Sequence, residues 1–396
     1  MIKAAILGYG VVGSGVYEIL TSNREQIAKK TGGEEIAVKY ILDLRDFPDH
    51  EAPQLFTKNF DDIVNDAEVS IVVEVMGGLN PAYEYSKAAI LAGKNVITSN
   101  KELVAEHGTE LLALAKENSV NYMFEASVGG GIPIIRPLNQ CLSANNVEEI
   151  YGILNGTTNY ILTKMDVEGA DFESALSEAQ RLGYAERNPE ADVEGYDACR
   201  KIAILSSLAS GTYVSWRDIQ TEGITKITKS DVLFAEKYHS VIKLIGMAKF
   251  IGGKVYSRVC PMVISKEHQL SQVNGVFNAI FVKGDSLGDA MFYGRGAGKL
   301  PTASAVVADV IDSAKHLSIN RLINWEKAES DVMIAPETVS SRYFVRANSR
   351  DVVNSFAGAE ELGNADGEWF FVTGTMTEAE FKAAFDGRGA FIRVLG

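Results

Sequence analysis

Cysteine, histidine and long apolar runs are all scarce in this chain. Its 396 residues include three cysteines, Cys141, Cys199 and Cys260. An odd count with no C-x-x-C spacing argues against a disulfide framework. The five histidines, His50, His107, His239, His268 and His316, are scattered without zinc spacing. No window approaches the ~18 consecutive apolar residues of a membrane span, and the first residues read as a strand rather than a signal peptide. Basic residues are the minority, 38 against 52 acidic, and the net charge of −14 disfavours nonspecific binding to nucleic acid. There is no internal repeat and no low-complexity segment. These scarcities point to a soluble, reduced, cytoplasmic protein, long enough for two or three domains.

What is present begins at the N-terminus. The apolar run Ala4 to Leu7 is followed by Gly8, Gly10 and Gly13 in G-x-G-x-x-G order, and then by a helix-period run to Leu20. Strand, tight turn and helix are the context this fingerprint needs. Gly8 permits the turn, Gly10 lets the backbone approach a pyrophosphate, and Gly13 lets the helix pack on the strand. The helix start at Val11 and Val12 offers N–H donors and a positive dipole end. The pattern predicts a dinucleotide site, with NAD or NADP as cofactor. The second strand, Ile36 to Leu42, ends at Asp43, which suits the ribose 2′-hydroxyl of NAD, whereas Arg45 suits the 2′-phosphate of NADP. Asp43 lies 30 residues past Gly13 because a polar insert, Thr21 to Glu35, lengthens the crossover. The balance leans to NAD with NADP tolerated.

Strand and helix then alternate. Ser70 to Val75, Asn95 to Thr98 and Val120 to Phe124 read as buried strands. They end in Met76-Gly-Gly, Ser99-Asn-Lys101 and Glu125, at the edge where open α/β sheets bind ligands. Past Gly129 to Pro133 the pattern changes to a strand at Glu148 to Leu154, helices at Asp197 to Ser210 and Ser230 to Phe250, and β-rich stretches after Lys254. The cluster Gly294-Arg-Gly296-Ala-Gly298 opens an apolar helix, 302–316, expected to return to the first domain, with Gly296 offering a second cofactor contact. In the tail, Arg342 to Arg346, Glu368 to Thr373 and Phe391 to Val394 read as strands. Asp351 to Glu361 and Thr377 to Phe385 read as helices, the latter with a Thr377/Glu380 capping box. The expected fold class is α/β. It comprises a Rossmann-type doubly wound parallel sheet over 1–133, an inserted α+β substrate domain over 134–320, and a small α+β tail over 342–396.

The densest chemistry lies between Gly183 and Lys201. Glu186, Asp192, Glu194, Asp197 and Lys201 crowd a glycine- and proline-rich stretch that runs into Ile202-Ala-Ile-Leu205. Asp197 and Lys201 are one helical turn apart and share a face. Spacing alone permits a surface ion pair of ~0.3–0.5 kcal/mol. Charge running into an apolar helix permits instead a buried, functional pair, since unpaired burial is costly.

These residues resemble the homoserine dehydrogenase family. Ala179, Gly183, Tyr184, Ala185, Asn188-Pro189, Asp192-Val193, Gly195, Asp197 and Lys201 match its motif in register. Ser99 to Lys101, Glu125 to Pro133 and Gly152 to Tyr160 are also similar to it. The resemblance implies reduction of L-aspartate 4-semialdehyde to L-homoserine by a homodimer, with the inserted domain serving dimerisation. It implies that Lys201 donates the proton, Asp197 orients it and contacts substrate, and Glu186 and Asp192 receive the substrate ammonium. Lys101 is the competing donor and faces cofactor or substrate, and Gly183 joins the cofactor contacts. Glu125 with the carbonyls of Val128, Gly130 and Ile132 resembles the family's structural sodium site. The tail resembles a truncated ACT domain lacking one strand and its Asp-x-x-Gly turn, so it is expected to be structural rather than threonine-regulated. Two other readings are an acylating semialdehyde dehydrogenase, which would need a nucleophile such as Cys199, and a non-catalytic nucleotide sensor.

Overall fold

A computed structural model describes residues 1–328 and 331–395. The chain divides into two compact units. The first comprises Met1–Asn146, Ala203–Ser215 and the segment from Gly294. The second comprises Val147–Ile202, Trp216–Tyr293 and the segment from Asp331.

Continuous apolar runs build the first unit's sheet. Ala4 to Leu7 and Ile71 to Val73 are fully buried, as strands of a parallel sheet covered on both faces must be. Six strands lie in the order Phe56–Thr57, Ile36–Leu42, Ile2–Leu7, Val69–Glu74, Asn95–Thr98, Tyr122–Met123, and every neighbouring pair is parallel. Chain order 3-2-1-4-5-6 reverses between Ile2–Leu7 and Val69–Glu74, and ligands bind at such a switch point. The polar insert is helical, with helices Val11–Ser22 and Arg24–Lys30 between the first two strands. Helix Lys299–Lys315 belongs to this unit and packs on Val11–Ser22 at Gly15, where a Cβ would sit 2.9 Å from both the Ala303 Cβ and the Lys299 carbonyl.

The second unit is built on a mixed sheet of 11 strands. Its longest hairpin pairs Ser240–Ile251 with Lys254–Ser265 through Gly252 and Gly253, both left-handed, as a tight two-residue turn requires. This corrects the expected helix Ser230 to Phe250. The helix is Lys229–Lys237, and His239 at φ 52° breaks the chain before the strand. Nearly every residue of that strand is buried on both faces, so no period of two marks it in the sequence.

The tail continues this sheet. Its strand Gly389–Val394 runs parallel to Lys254–Ser265, with Met262 opposite Arg393. The tail is complete rather than short of a strand. Helix Arg350–Asn354 is brief, and Glu360–Ala365 is a strand hairpinned to Glu368–Val372 through left-handed Asp366 and Gly367. The resulting β-α-β-β-α-β unit has the ferredoxin-like strand order 4-1-3-2. Tyr343, Phe356, Phe371, Phe381 and Phe385 fill its own core. Where the tail joins the sheet, Arg258 and Arg393 are 0% and 3% exposed. Arg393 pairs with Glu222 at 2.9 Å and Glu378 at 3.1 Å, and Arg258 pairs with Glu378 at 3.0 Å. Charges so buried persist only when paired.

Candidate active site

In the second unit the motif ending at Lys201 folds as a series of caps. Helix Phe172–Arg181 is closed by Gly183 at φ 77°. The Tyr184 N–H donates to Ala179 O at 2.8 Å and the Gly183 N–H to Gln180 O at 3.1 Å, the two closing bonds of a Schellman cap. That duty accounts for the glycine at position 183. Gly195, at φ 84°, turns the chain directly into helix Tyr196–Ser210.

Asp197 and Lys201 occupy the start of that helix and are buried, 6% and 8% exposed. The spacing-based alternative of a surface pair therefore falls. Lys201 Nζ donates to Asp197 Oδ2 at 2.8 Å and to the Leu154 carbonyl at 2.7 Å. An ammonium has three N–H donors, so among the described residues one is left for a ligand. Asn155 organises the carboxylates: its Nδ2 donates to Asp192 Oδ1 at 2.7 Å and to Asp197 Oδ2 at 3.0 Å. Its Oδ1 accepts the Thr158 N–H at 2.9 Å and so caps helix Gly156–Glu168. Burial raises the Asp192 pKa, the Asp197 charge raises it further, and the bond from Asn155 opposes both. Sequence reasoning assigned Asn155 no role, although an Asn between a strand and a helix is an N-cap signal. The Leu154 carbonyl carries no side-chain signal at all.

Glu186 is not drawn into this cluster. Its side chain is exposed, and its backbone carbonyl accepts from Gln180 Nε2 at 3.1 Å. Cys199 is buried, its thiol donates to the Trp216 carbonyl at 3.2 Å, and burial pushes its pKa up. A thiolate nucleophile is disfavoured there.

In the first unit each fingerprint glycine has its own geometric reason. Gly8 adopts φ 97°, and a Cβ there would meet the Met76 backbone at 3.1 Å. A Cβ on Gly13 would sit 1.9 Å from the Gly8 carbonyl, whereas one on Gly10 would meet nothing within 4 Å. Gly10 thus borders open space, and helix Val11–Ser22 has no side-chain cap on its first N–H groups. That combination fits a pyrophosphate. Val11 is exposed and Val12 half-buried at the same helix start. Asp43 and Arg45, alternative readers of the ribose, bind each other. Arg45 Nε and Nη2 donate to the two Asp43 oxygens, each at 2.9 Å, and the Tyr9 N–H adds a bond at 2.8 Å. The hydrogen bond from Arg45 holds the Asp43 carboxyl well below the usual range, against the opposing effect of burial. Beside them a cavity of ≈ 310 Å³ is walled by Phe47, Pro48 and Phe56. Lys101 is the first residue of helix Lys101–Glu117, whose N-cap Asn100 accepts from the Leu103 N–H at 3.1 Å and donates to the Gly78 carbonyl at 2.6 Å.

The expected role of the Glu125 carboxylate as a cation ligand does not survive. It accepts the N–H groups of Ile134, Ile135 and Arg136 at 2.6, 2.8 and 2.9 Å and Arg136 Nε at 3.1 Å. Those bonds use its lone-pair directions. The carbonyl oxygens of Val128, Gly130 and Ile132 accept no backbone N–H among the described residues, so the groups there that fit a hard monovalent cation are carbonyl oxygens. The two glycine clusters touch backbone to backbone. Gly131 N–H donates to the Arg295 carbonyl at 3.1 Å, and a Cβ on Gly130 would lie 2.1 Å from the Gly296 carbonyl. Gly130 is explained by that close approach.

The family profile described as "Homoserine dehydrogenase, NAD binding domain" matches residues 8–125, and "Homoserine dehydrogenase" matches 133–311. A homoserine dehydrogenase of Synechocystis is 39% identical over 97% of this chain and 95% of its own length. This chain belongs to the homoserine dehydrogenase family. Members of the family interconvert aspartate semialdehyde and homoserine with NAD or NADP in amino-acid biosynthesis. The crystal structure of a homoserine dehydrogenase from Thiobacillus denitrificans superposes with TM-score 0.90 at 37% identity, covering 100% of this chain and 98% of that one. A hyperthermophilic archaeal homoserine dehydrogenase in complex with NADPH gives TM-score 0.66 at 29% identity over 79% of this chain and 97% of that one. Among the described residues no helix is long and apolar enough to cross a membrane.

Proposed function

We propose that this chain reduces L-aspartate 4-semialdehyde to L-homoserine with Lys201 as the proton donor. The observation that carries the reading is the buried Lys201 ammonium, fixed by Asp197 and the Leu154 carbonyl with one donor to spare. When bound, the nicotinamide cofactor supplies a hydride to the aldehyde carbon. The alkoxide that forms needs a proton and a nearby positive charge, and Lys201 provides both. Asp197 orients Lys201 and, through Asn155, is tied to Asp192. Asp192 and the exposed Glu186 receive the substrate ammonium. Lys101, at a strand's carboxyl end, is the competing donor.

The glycine turn, Val11 and Val12 hold the pyrophosphate, and the cavity beside Asp43, with Phe47, Pro48 and Phe56 in its wall, takes the adenine ring. Because Arg45 already neutralises Asp43, a 2′-phosphate meets less repulsion there than a bare carboxylate would give. NAD is preferred and NADP accepted. A structural sodium ion fits the carbonyls of Val128, Gly130 and Ile132. The working form is a cytoplasmic homodimer that binds neither nucleic acid nor membrane. Its contact is the edge strand Gly288–Arg295, where Leu287, Met291 and Tyr293 are 50%, 41% and 53% exposed. The tail is structural. Oxidation of NADH and NADPH by the purified protein with aspartate semialdehyde, run side by side, tests the reaction and the preference together. Turnover with both and a higher kcat/KM for NADH are expected, and no turnover with either would refute the reading.

A further inference from the structure

Glu74 is the last residue of the strand beside Ile2–Leu7, paired with Leu7 at the point where strand order reverses. It is fully buried. Its two oxygens accept from the Met76 N–H at 2.8 Å and the Thr98 hydroxyl at 2.6 Å. The Thr98 hydroxyl itself accepts the Asn100 N–H at 2.9 Å, so its proton is committed to Glu74. Both partners are donors, and donors favour the ionised form. No cation pairs with Glu74 among the described residues. Burial opposes its charge and raises its pKa, and the hydrogen bonds work against that rise. The buried Tyr122 hydroxyl, without a partner, adds no positive charge.

A buried carboxylate without a counter-cation is costly, and the cost asks for a reason. The loops it ties, Met76 to Gly78 and Thr98 to Lys101, stand at the carboxyl edge where α/β sheets hold their ligand. That ligand changes charge during the reaction, because an oxidised nicotinamide ring carries one more positive charge than a reduced one. We propose that Glu74 is an electrostatic positioning residue that favours the oxidised cofactor over the reduced one and so shifts the equilibrium between the two enzyme-bound cofactor states. The inference rests on the cofactor reading above and adds a role for a residue that touches neither substrate nor catalytic lysine.

The test is equilibrium binding of both cofactor forms, followed by nicotinamide fluorescence and by competition, without turnover. Glu74→Gln removes the charge and nearly preserves the shape. It should raise the ratio of the oxidised to the reduced Kd about tenfold, the order of effect of one charge in a protein interior. Glu74→Met is a second neutral variant should Gln not fold, and it should shift the ratio the same way. Glu74→Asp keeps the charge, and Thr98→Val removes the hydroxyl that bonds Glu74 and the Asn100 N–H but no charge, so both should leave the ratio within about twofold even where both affinities fall. An unchanged ratio in the neutral variants overturns the proposal, as does an equal shift in Asp or Val. Failure of wild-type protein to bind either form would overturn the cofactor reading beneath it.

Discussion

Two of the clusters in this protein that bury carboxylates beside a cation differ in one respect: among the described residues only one keeps a donor in reserve. In the first unit, Glu125 spends both oxygens on three backbone N–H groups and the Arg136 guanidinium, while Asp309 accepts the Glu125 N–H at 2.8 Å and lies 3.6 Å from Arg136. In the second, Lys201 spends two of its three donors, on Asp197 and Leu154. A guanidinium is effectively always charged, whereas an ammonium can give up a proton. Burial and pairing alone therefore do not mark a reactive site. An exchangeable proton and an unspent donor do.

Breaking the first cluster should cost stability and not chemistry. Arg136→Met leaves Glu125 and Asp309 facing each other without a cation. Because the Arg136 side chain is 24% exposed, the expected loss is about 3 kcal/mol, the low end for a broken buried pair. Urea unfolding measures it, and the folded enzyme should keep its turnover within about twofold. A destabilisation below about 1 kcal/mol would mean that the backbone donors alone hold Glu125.

In the second cluster, Asn155→Ala removes a cap worth about 1 kcal/mol and the bridge between two carboxylates. Without that donor the Asp192 pKa rises further, so ammonium binding should weaken as pH falls. The KM for homoserine should then increase severalfold more near about pH 6 than near about pH 8. An increase independent of pH would reduce Asn155 to a cap.

The same first cluster can be read through pH at Asp309, whose pKa is pushed up to about 8 by burial, with Arg136 opposing. A carboxyl raised in the folded state binds its proton more tightly there than when unfolded. Its contribution to stability is therefore complete below the ordinary carboxylate range and is lost as pH rises through about 8. Asp309→Asn cannot lose that proton and should flatten the fall in unfolding free energy between the ordinary carboxylate range and about pH 8, where the slope is at most about 1.4 kcal/mol per pH unit. A variant with the wild-type slope across that window would assign the loss to another group.

The sequence made most of this legible where spacing maps directly onto geometry. Gly8, Gly10 and Gly13 each meet the constraint the fingerprint assigns them, and the i, i+4 spacing of Asp197 and Lys201 becomes a 2.8 Å contact. It failed where tertiary burial erases periodicity, as in Ser240–Ile251, which is buried on both faces. It failed again at Glu360–Ala365, a half-exposed strand carrying Glu360, Glu361 and Gly363 that follows a helix of only five residues. The Glu125 carboxylate misled for a third reason. A glycine-rich turn beside an acid suits a cation, but nothing local showed that Ile134, Ile135 and Arg136 fold back to saturate it. Leu154 and Asn155 lie more than forty residues from the lysine and aspartate they hold, a separation no motif records.

The central claim is that the spare donor on Lys201, and not Lys101, delivers the proton. Turnover of aspartate semialdehyde by Lys201→Ala and Lys101→Ala, each with cofactor affinity measured separately, tests it most directly. Lys201→Ala should lower kcat by a factor on the order of 10² or more with cofactor Kd nearly unchanged, and Lys101→Ala should lower it less. Near-normal kcat in Lys201→Ala, with collapse in Lys101→Ala, would contradict the account.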